Sequence, residues 1–283
     1  MKMRLIANHV CVLLFLYGTV IAHSHSTNDN YQEIHCAITP IAQQETHCSH
    51  PHIPGPRSSR VPANIATSTN WSGYAAENSF SHPTKNSVSA ASGSWIVPKL
   101  VSTPDNSYCA IWVGIDGFSS PTVEQIGTSH NWINGAQQNY TWFEMYPNGA
   151  FVIGGFPLNP GDVISASVTY SGNSIFTLTI ANDTRQVYFT VPTSYTRSTS
   201  ALRESAEWIV EAPFLNGILP LSDFVTAYMW GCMATISGTT APINNRSWQH
   251  MAIEMVTNNG TPKAIPSPLL PDNGSFFVTW AHE

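Results

Sequence analysis

Cys109-Ala-Ile-Trp112-Val-Gly-Ile-Asp116-Gly117, then Thr122-Val-Glu-Gln125-Ile-Gly-Thr-Ser-His-Asn-Trp132, then Tyr140-Thr-Trp142-Phe-Glu144-Met-Tyr146: these three runs, separated by short turns, decide the fold. Each alternates, and a β-strand sends successive side chains to opposite faces, so alternation marks a half-buried strand. In the first run Cys109, Ile111, Val113 and Ile115 share an apolar face, leaving Tyr108, Ala110, Trp112, Gly114 and Asp116 on the other. Val123, Gln125 and Gly127 share a face in the second run. Tyr140, Trp142, Glu144 and Tyr146 do so in the third, against Thr141, Phe143 and Met145. Side by side the strands offer indole, phenol, carboxylate and carboxamide on one face and an apolar surface behind it. That is the composition of a binding cleft on a sheet.

Working outward, residues 70–75 and 93–98 read as strands, and 163–170, 175–180 and 186–191 as a hairpin meander with Ser-Gly-Asn and Asn-Asp turns. Further runs cover 205–210, 224–236, 249–256 and 275–280. No long amphipathic helix and no internal repeat is visible. Many short strands punctuated by Gly, Pro and Asn predict an all-β, two-sheet sandwich.

At 283 residues, with 42% hydrophobic and only 10% charged side chains, the chain is too apolar for disorder and too poor in Lys and Arg for a nucleic-acid surface. From Ala66 onward there are 7 Lys plus Arg against 14 Asp plus Glu, a net of −7 with His neutral. So few ion pairs and so little positive self-repulsion suit an acidic medium, as they also suit any secreted β protein rich in Ser, Thr and Asn.

Residues 1–22 carry a basic start at Lys2 and Arg4, an apolar core and the small-residue exit Val20-Ile21-Ala22, a secretory signal that leaves no membrane anchor once removed. Residues 23–65 lack periodicity and read as a leader or propeptide, with Arg57 and Arg60 as processing points. Six of the eleven histidines lie there (His23, His25, His35, His47, His50 and His52), beside Cys36 and Cys48. A local Cys36–Cys48 disulfide is preferred to a zinc site, whose ligand spacing these residues fit poorly. Protonation of the leader histidines in acid is a further route to loosening it. The folded domain is expected over 66–283. Within it, Cys109 and Cys232 read as buried thiols in preference to a bridge, and six sequons begin at Asn70, Asn139, Asn182, Asn245, Asn259 and Asn273.

Signatures of serine, zinc and aspartic hydrolases and of phosphate loops are missing, and no metal or cofactor is implied. His82, His130, His250 and His282 are scattered and read as surface or satisfied histidines. What remains are carboxylates and amides on strands. Glu207, Ile209 and Glu211 share a face, and pattern alone takes Glu207 as a strand-edge glutamate in water and Gln125 as an exposed strand residue.

Asn70-Trp-Ser-Gly73, Trp112-Val-Gly-Ile-Asp116-Gly, Gln125-Ile-Gly, Trp142-Phe-Glu144-Met-Tyr146-Pro and Ala206-Glu207-Trp-Ile-Val-Glu211 occur in order and together resemble the secreted glutamic peptidases, the eqolisins. The resemblance runs from about Asn70 to the C-terminus. It implies a lectin-like (concanavalin-type) sandwich of two curved antiparallel sheets and an acid-acting endopeptidase made with a propeptide and insensitive to pepstatin. It also implies a catalytic glutamine at Gln125 and glutamate at Glu207 on the concave sheet. By motif, Trp112, Asp116 and Glu144 match further family positions. Met145 departs from a usual aromatic, and Ile126-Gly127 from Thr-Gly.

Chemistry gives these residue types matching roles. An ionised Glu207 takes a proton from water and returns it to the leaving amine, while Gln125, which cannot titrate, orients the water and donates to the oxyanion. Asp116 and Glu144 steady the pair, and Trp112, Trp142 and Tyr146 line a cleft for extended polypeptide. The dyad is expected to meet across neighbouring strands. The expected partners are polypeptide substrates and the chain's own propeptide as inhibitor, for a monomer outside the cell. Two rival readings use the same face: a glycoside hydrolase with Glu144 and Glu207 as its carboxyl pair, ~5–10 Å apart, and a non-catalytic sugar-binding module.

Overall fold

The computed structural model describes residues 31–41, 52–55 and 64–282. The signal segment, Cys48, Arg57 and Arg60, and four of the leader histidines lie outside the described residues. Eighteen strands follow in chain order: β1 (Gln32–Glu33), β2 (Ala37–Pro40), β3 (Ile65–Ser68), β4 (Trp71–Glu77), β5 (Val88–Ile96), β6 (Ala110–Ile115), β7 (Val123–Ile133), β8 (Ala136–Tyr146), β9 (Phe151–Gly154), β10 (Val163–Gly172), β11 (Ile175–Asn182), β12 (Val187–Thr190), β13 (Ser205–Glu211), β14 (Thr226–Ile236), β15 (Thr239–Pro242), β16 (Gln249–Val256), β17 (Pro262–Pro266) and β18 (Phe276–Trp280). Among the described residues there is no helix.

One layer runs β16–β4–β13–β6–β7–β8–β9 in hydrogen-bonded order, all antiparallel. The other runs β12–β11–β10–β5–β14–β18–β17. The two are joined where β17 pairs with β16. Their facing surfaces form the main core: Ile111, Val113, Ile126 and Phe143 from the first layer meet Trp95, Ile164, Val168, Leu178 and Met229 from the second. The alternation of the opening stretch is honoured, since Cys109, Ile111, Val113 and Ile115 all point into this core.

Local chemistry fixes the central hairpin. Ile133 pairs with Ala136 across Asn134-Gly135, both at positive φ (51° and 81°), the two-residue turn whose twist matches paired strands. A polar relay then ties the layers together. Trp95 on β5 donates its indole N–H to Thr128 Oγ1 on β7 at 2.8 Å. Asn139 Oδ1 can only accept, so neutral His130 carries its proton on Nδ1 and donates there at 3.0 Å, which leaves Nε2 to accept the Thr128 hydroxyl at 2.9 Å. Burial keeps His130 neutral by lowering its pKa to about 4. His130 is thus a satisfied core histidine. Breaking such a buried bond on one side costs about 1–3 kcal/mol.

Part of the stretch expected to be a leader belongs to the sheets. β1 adds in parallel to β12, and β2 adds antiparallel to β9. Ile34, Cys36 and Ile38 pack on the main core. Cys36 is a free thiol, and its expected partner lies outside the described residues. Cys109 and Cys232 are buried free thiols, as expected.

Candidate active site

The other face of the first layer carries the motif residues. Register places them in rows across the strands. One row reads Met251 on β16, Ala75 on β4, Glu207 on β13, Gly114 on β6, Gln125 on β7 and Glu144 on β8. Opposite residues of an antiparallel pair share a face, so Glu207, Gln125 and Glu144 all point the same way. The expected dyad is therefore separated by one strand and does not sit on neighbours. Two strand spacings set their backbones about 9.5 Å apart, and Gly114 leaves the intervening place without a side chain. A Cβ there would lie 2.9 Å from the Trp112 ring and 3.2 Å from Gln125 Cβ.

The next row reads Ile253, Gly73, Ile209, Trp112, Gly127, Trp142. Two indoles thus flank the dyad row with a glycine between them. A second apolar cluster forms on this face from Trp71, Trp112, Val123, Trp142 and Ile209, with Phe118, Tyr146 and Met251 against it.

Gln125 donates an amide hydrogen to Glu144 Oε2 at 2.9 Å. A carboxylate only accepts, so the amide nitrogen must face it and the amide oxygen must face away. That oxygen is buried without a partner. Neither carboxyl oxygen of Glu207 has a partner in good hydrogen-bond geometry, and the residue is fully buried. Burial is the main reason its pKa stands well above the ordinary range. The Ser205 hydroxyl pulls against it, Asp116 and Glu77 add smaller upward pushes, and the Phe118 amide pulls down least of all. Gln125 and Glu207 are thus not the water-facing residues that pattern alone predicts; both lie at 0% exposure.

Asp116 sits at the end of β6 at φ 72°, a left-handed conformation that Asp tolerates better than most residues. Its carboxylate accepts the backbone amides of Arg203 at 2.6 Å and Glu204 at 2.8 Å, and its own amide bonds Ser205 O at 3.0 Å. These bonds pin the start of β13 beside β6, which sets the register that brings Glu207 opposite Gly114. Asp116 thereby sets where Glu207, a member of the expected dyad, stands.

Sequence reasoning missed three participants. Glu211 accepts the Trp112 indole N–H at 2.7 Å and fixes that ring. Ser119, in the turn between β6 and β7, donates to Glu77 Oε1 at 2.6 Å. Glu77 itself is fully buried on the same face as Glu207. The alternation of β13 already put Glu211 beside Glu207, so Glu211 was within reach; Glu77 required knowing which strand lies next to β13.

Among the described residues, no group of three or more His, Cys, Asp or Glu side chains is arranged to hold a metal ion. The sugar-cleaving alternative fits the geometry poorly. Glu144 and Glu207 stand three strand spacings apart, about 14 Å of backbone, with Gln125 between them and bonded to Glu144.

The family model for the Peptidase A4 family matches residues 69–267. The chain belongs to this family, the eqolisins. Aspergillopepsin-2 of Aspergillus niger is 27% identical over 222 residues, 70% of this chain and 77% of that protein. The crystal structure of scytalido-glutamic peptidase with a transition-state analog inhibitor superposes with a TM-score of 0.61 at 21% identity, covering 75% of this chain and 98% of that one. SCP-B, an eqolisin in complex with the tripeptide Ala-Ile-His, gives 0.59 at 20% identity over 75% and 98% of the two chains. The structural likenesses establish the sandwich. Family membership makes this eqolisin a glutamic endopeptidase, a hydrolase of peptide bonds, and the two sugar readings give way to it.

In this eqolisin the face bearing the dyad row is closed over. The turn at Gly117-Phe118 lies against Glu207, and His52, from the stretch expected to be a leader, holds that turn. Its amide donates to Gly117 O at 3.1 Å and its ring packs 4.9 Å from Phe118 and 6.1 Å from Trp71. Ile53 and Gly55 bond Asn70 and Thr67 beside it. On the opposite flank Ile41 bonds Ala150 and packs on the same apolar cluster.

Proposed function

We propose that this chain is the precursor of a secreted, acid-acting endopeptidase in which Glu207 and Gln125 form the catalytic dyad. The observation that carries this is the row Glu207–Gly114–Gln125. It sets two polar side chains facing one gap, with three oxygen atoms buried and unsatisfied. Such atoms call for a guest that can hydrogen-bond, a water or a peptide carbonyl.

Glu207 as carboxylate removes a proton from the water as its oxygen attacks the carbonyl carbon. The remaining Gln125 N–H donates to the oxyanion. Glu207 then returns the proton to the amine nitrogen as the C–N bond breaks. Desolvation is the first cause of the raised Glu207 pKa, so water and substrate entering the opened cleft bring it down toward the ionised form. Trp112, Trp142 and Tyr146 wall a path for an extended peptide, in keeping with the tripeptide held by the related SCP-B. Residues 1–22 act as the export signal and 23–65 as a propeptide, whose described parts occupy both flanks of the cleft.

Glu207→Gln is expected to abolish acid cleavage of a denatured protein with the fold intact, and pepstatin should leave the unsubstituted enzyme active. Gln125→Ala should lower kcat about 100-fold or more with little change in KM. Turnover by Glu207→Gln near that of the unsubstituted enzyme overturns the assignment.

A further inference from the structure

A base that works in acid must be ionised in acid, yet Glu207 sits in a dry setting that favours its neutral form. What lies beside it bears on this conflict. Glu77 on β4 is opposite Ser205 on β13, and Glu207 is two residues further along the same face. Glu77 and Glu207 are therefore diagonal neighbours, about 7 Å apart at the backbone and within reach of each other's side chains. Glu77 Oε1 accepts the Ser119 hydroxyl. Glu77 Oε2, the Ser205 hydroxyl and both oxygens of Glu207 are buried with no partner. Four buried oxygen atoms at adjoining positions of this face thus lack a partner in good geometry, two of them on Glu207.

Among the described residues, the groups acting on Glu77 add no compensating cation. From the end of β6 comes Asp116, and from the segment before β13 comes Glu204, both acidic and both acting on Glu77. Lys85 acts on Glu204. From β16 the opposed residue is Gln249, whose amide oxygen is taken by the Phe80 amide. Two neighbouring buried carboxyls in such surroundings do not both ionise.

We propose that Glu77 is a positioning residue for the hydrolysis: its protonated carboxyl donates from Oε2 to Glu207 and holds that residue as the carboxylate in acid. This rests on Glu207 being the base. Burial raises the Glu77 pKa to about 7, so the proton is present throughout the acid range. It stays on Glu77 during the reaction, while Glu207 takes the proton of the attacking water and passes it to the leaving amine.

The test is the pH profile of kcat/KM for the processed enzyme on a peptide substrate. Glu77→Leu removes the donor, and Glu207 then ionises less readily. Its acid limb should move up by about one pH unit, a roughly tenfold loss near pH 3. Glu77→Gln keeps an N–H donor that cannot ionise, so its alkaline limb should move up by about one unit. A residue with a merely structural role would scale activity evenly across pH and move neither limb. Unmoved limbs in the variants that fold overturn the proposal, and Glu77→Gln decides alone if Glu77→Leu does not fold. Glu207→Gln, run alongside, separates the two ideas. If it is inactive and the limbs stay put, only Glu77 loses its role; if it is active, the dyad itself falls.

Discussion

Gly114 offers the sharpest perturbation, because it touches neither reacting group and yet lies between them. Its backbone lies in an ordinary region, so adding a side chain strains packing alone. A methyl at this position would stand 2.9 Å from Trp112 Cζ3 and 3.2 Å from Gln125 Cβ. Carbon pairs rest at about 3.5–4.0 Å, so ring and amide must retreat by roughly 0.3–0.6 Å. Trp112 has little freedom to do so, being fully buried and bonded through its indole to Glu211. Overpacking of this kind costs about 1–3 kcal/mol of stability. A 1 Å misplacement costs about 100-fold in rate, so Gly114→Ala should lose about tenfold in kcat. Gly114→Val, which fills the gap, should lose far more. The assay is steady-state cleavage of a quenched fluorescent peptide in acid, with urea unfolding to confirm that each variant is folded. Undiminished kcat in a folded Gly114→Val would show that no guest occupies the space between Glu207 and Gln125.

Stability should fall as pH rises. Glu77 keeps its proton in the folded chain to about 7, while an unfolded glutamate loses it near 4.5. Between these values the unfolded chain binds fewer protons, so this residue's contribution is intact below about 4.5 and about 3 kcal/mol is lost by neutrality. Glu124 and Glu207 are raised in the same direction. Urea midpoints near pH 4 and pH 8 test this, and a midpoint that is flat or higher at pH 8 contradicts it. The leader should respond in the opposite sense. Burial lowers the His52 pKa from 6.5 to about 4, so the undocked leader gains a proton that the docked one refuses as pH falls through that window. Docking then weakens by up to about 3 kcal/mol. In a Glu207→Gln precursor, protection of the leader from an added protease should fade between those pH values, and His52→Phe, which keeps the ring packing, should abolish the fading. Equal protection at both ends of the window in the His52 chain removes the histidine from leader release.

Strong alternation over several residues was enough to place strands on faces. Ile111, Val113 and Phe143 point to the main core, and Trp112, Gln125, Trp142 and Glu144 point away from it, as their spacing requires. Spacing says nothing about what covers the second face. That is why Gln125 and Glu207 looked solvent-facing and are in fact buried beneath the Phe118 turn and a second aromatic cluster. The missed strands β1, β2, β3, β9, β15 and β17 are two to five residues long, and three include proline. Partners distant in the chain decide them, as with Ala37 on Gly154 or Ala252 on Ile65. Glu77 escaped notice for the same reason, since its neighbour across the ladder is Ser205, more than a hundred positions on. Alternation put Trp112, Trp142 and Glu144 on one face, and the family resemblance, not the period, singled out the motif tryptophans and acids.

The row from Met251 to Glu144 spans six strands drawn from four separate regions of the chain, and none of its members is carried by a loop. Ladder bonds, with Asp116 pinning the start of β13, hold the spacing between the expected base and its amide partner. A slip of one residue in any of the intervening strands would turn a side chain to the wrong layer altogether. Catalytic geometry and global order are therefore one cooperative property here, and a half-folded molecule has no means of being half active.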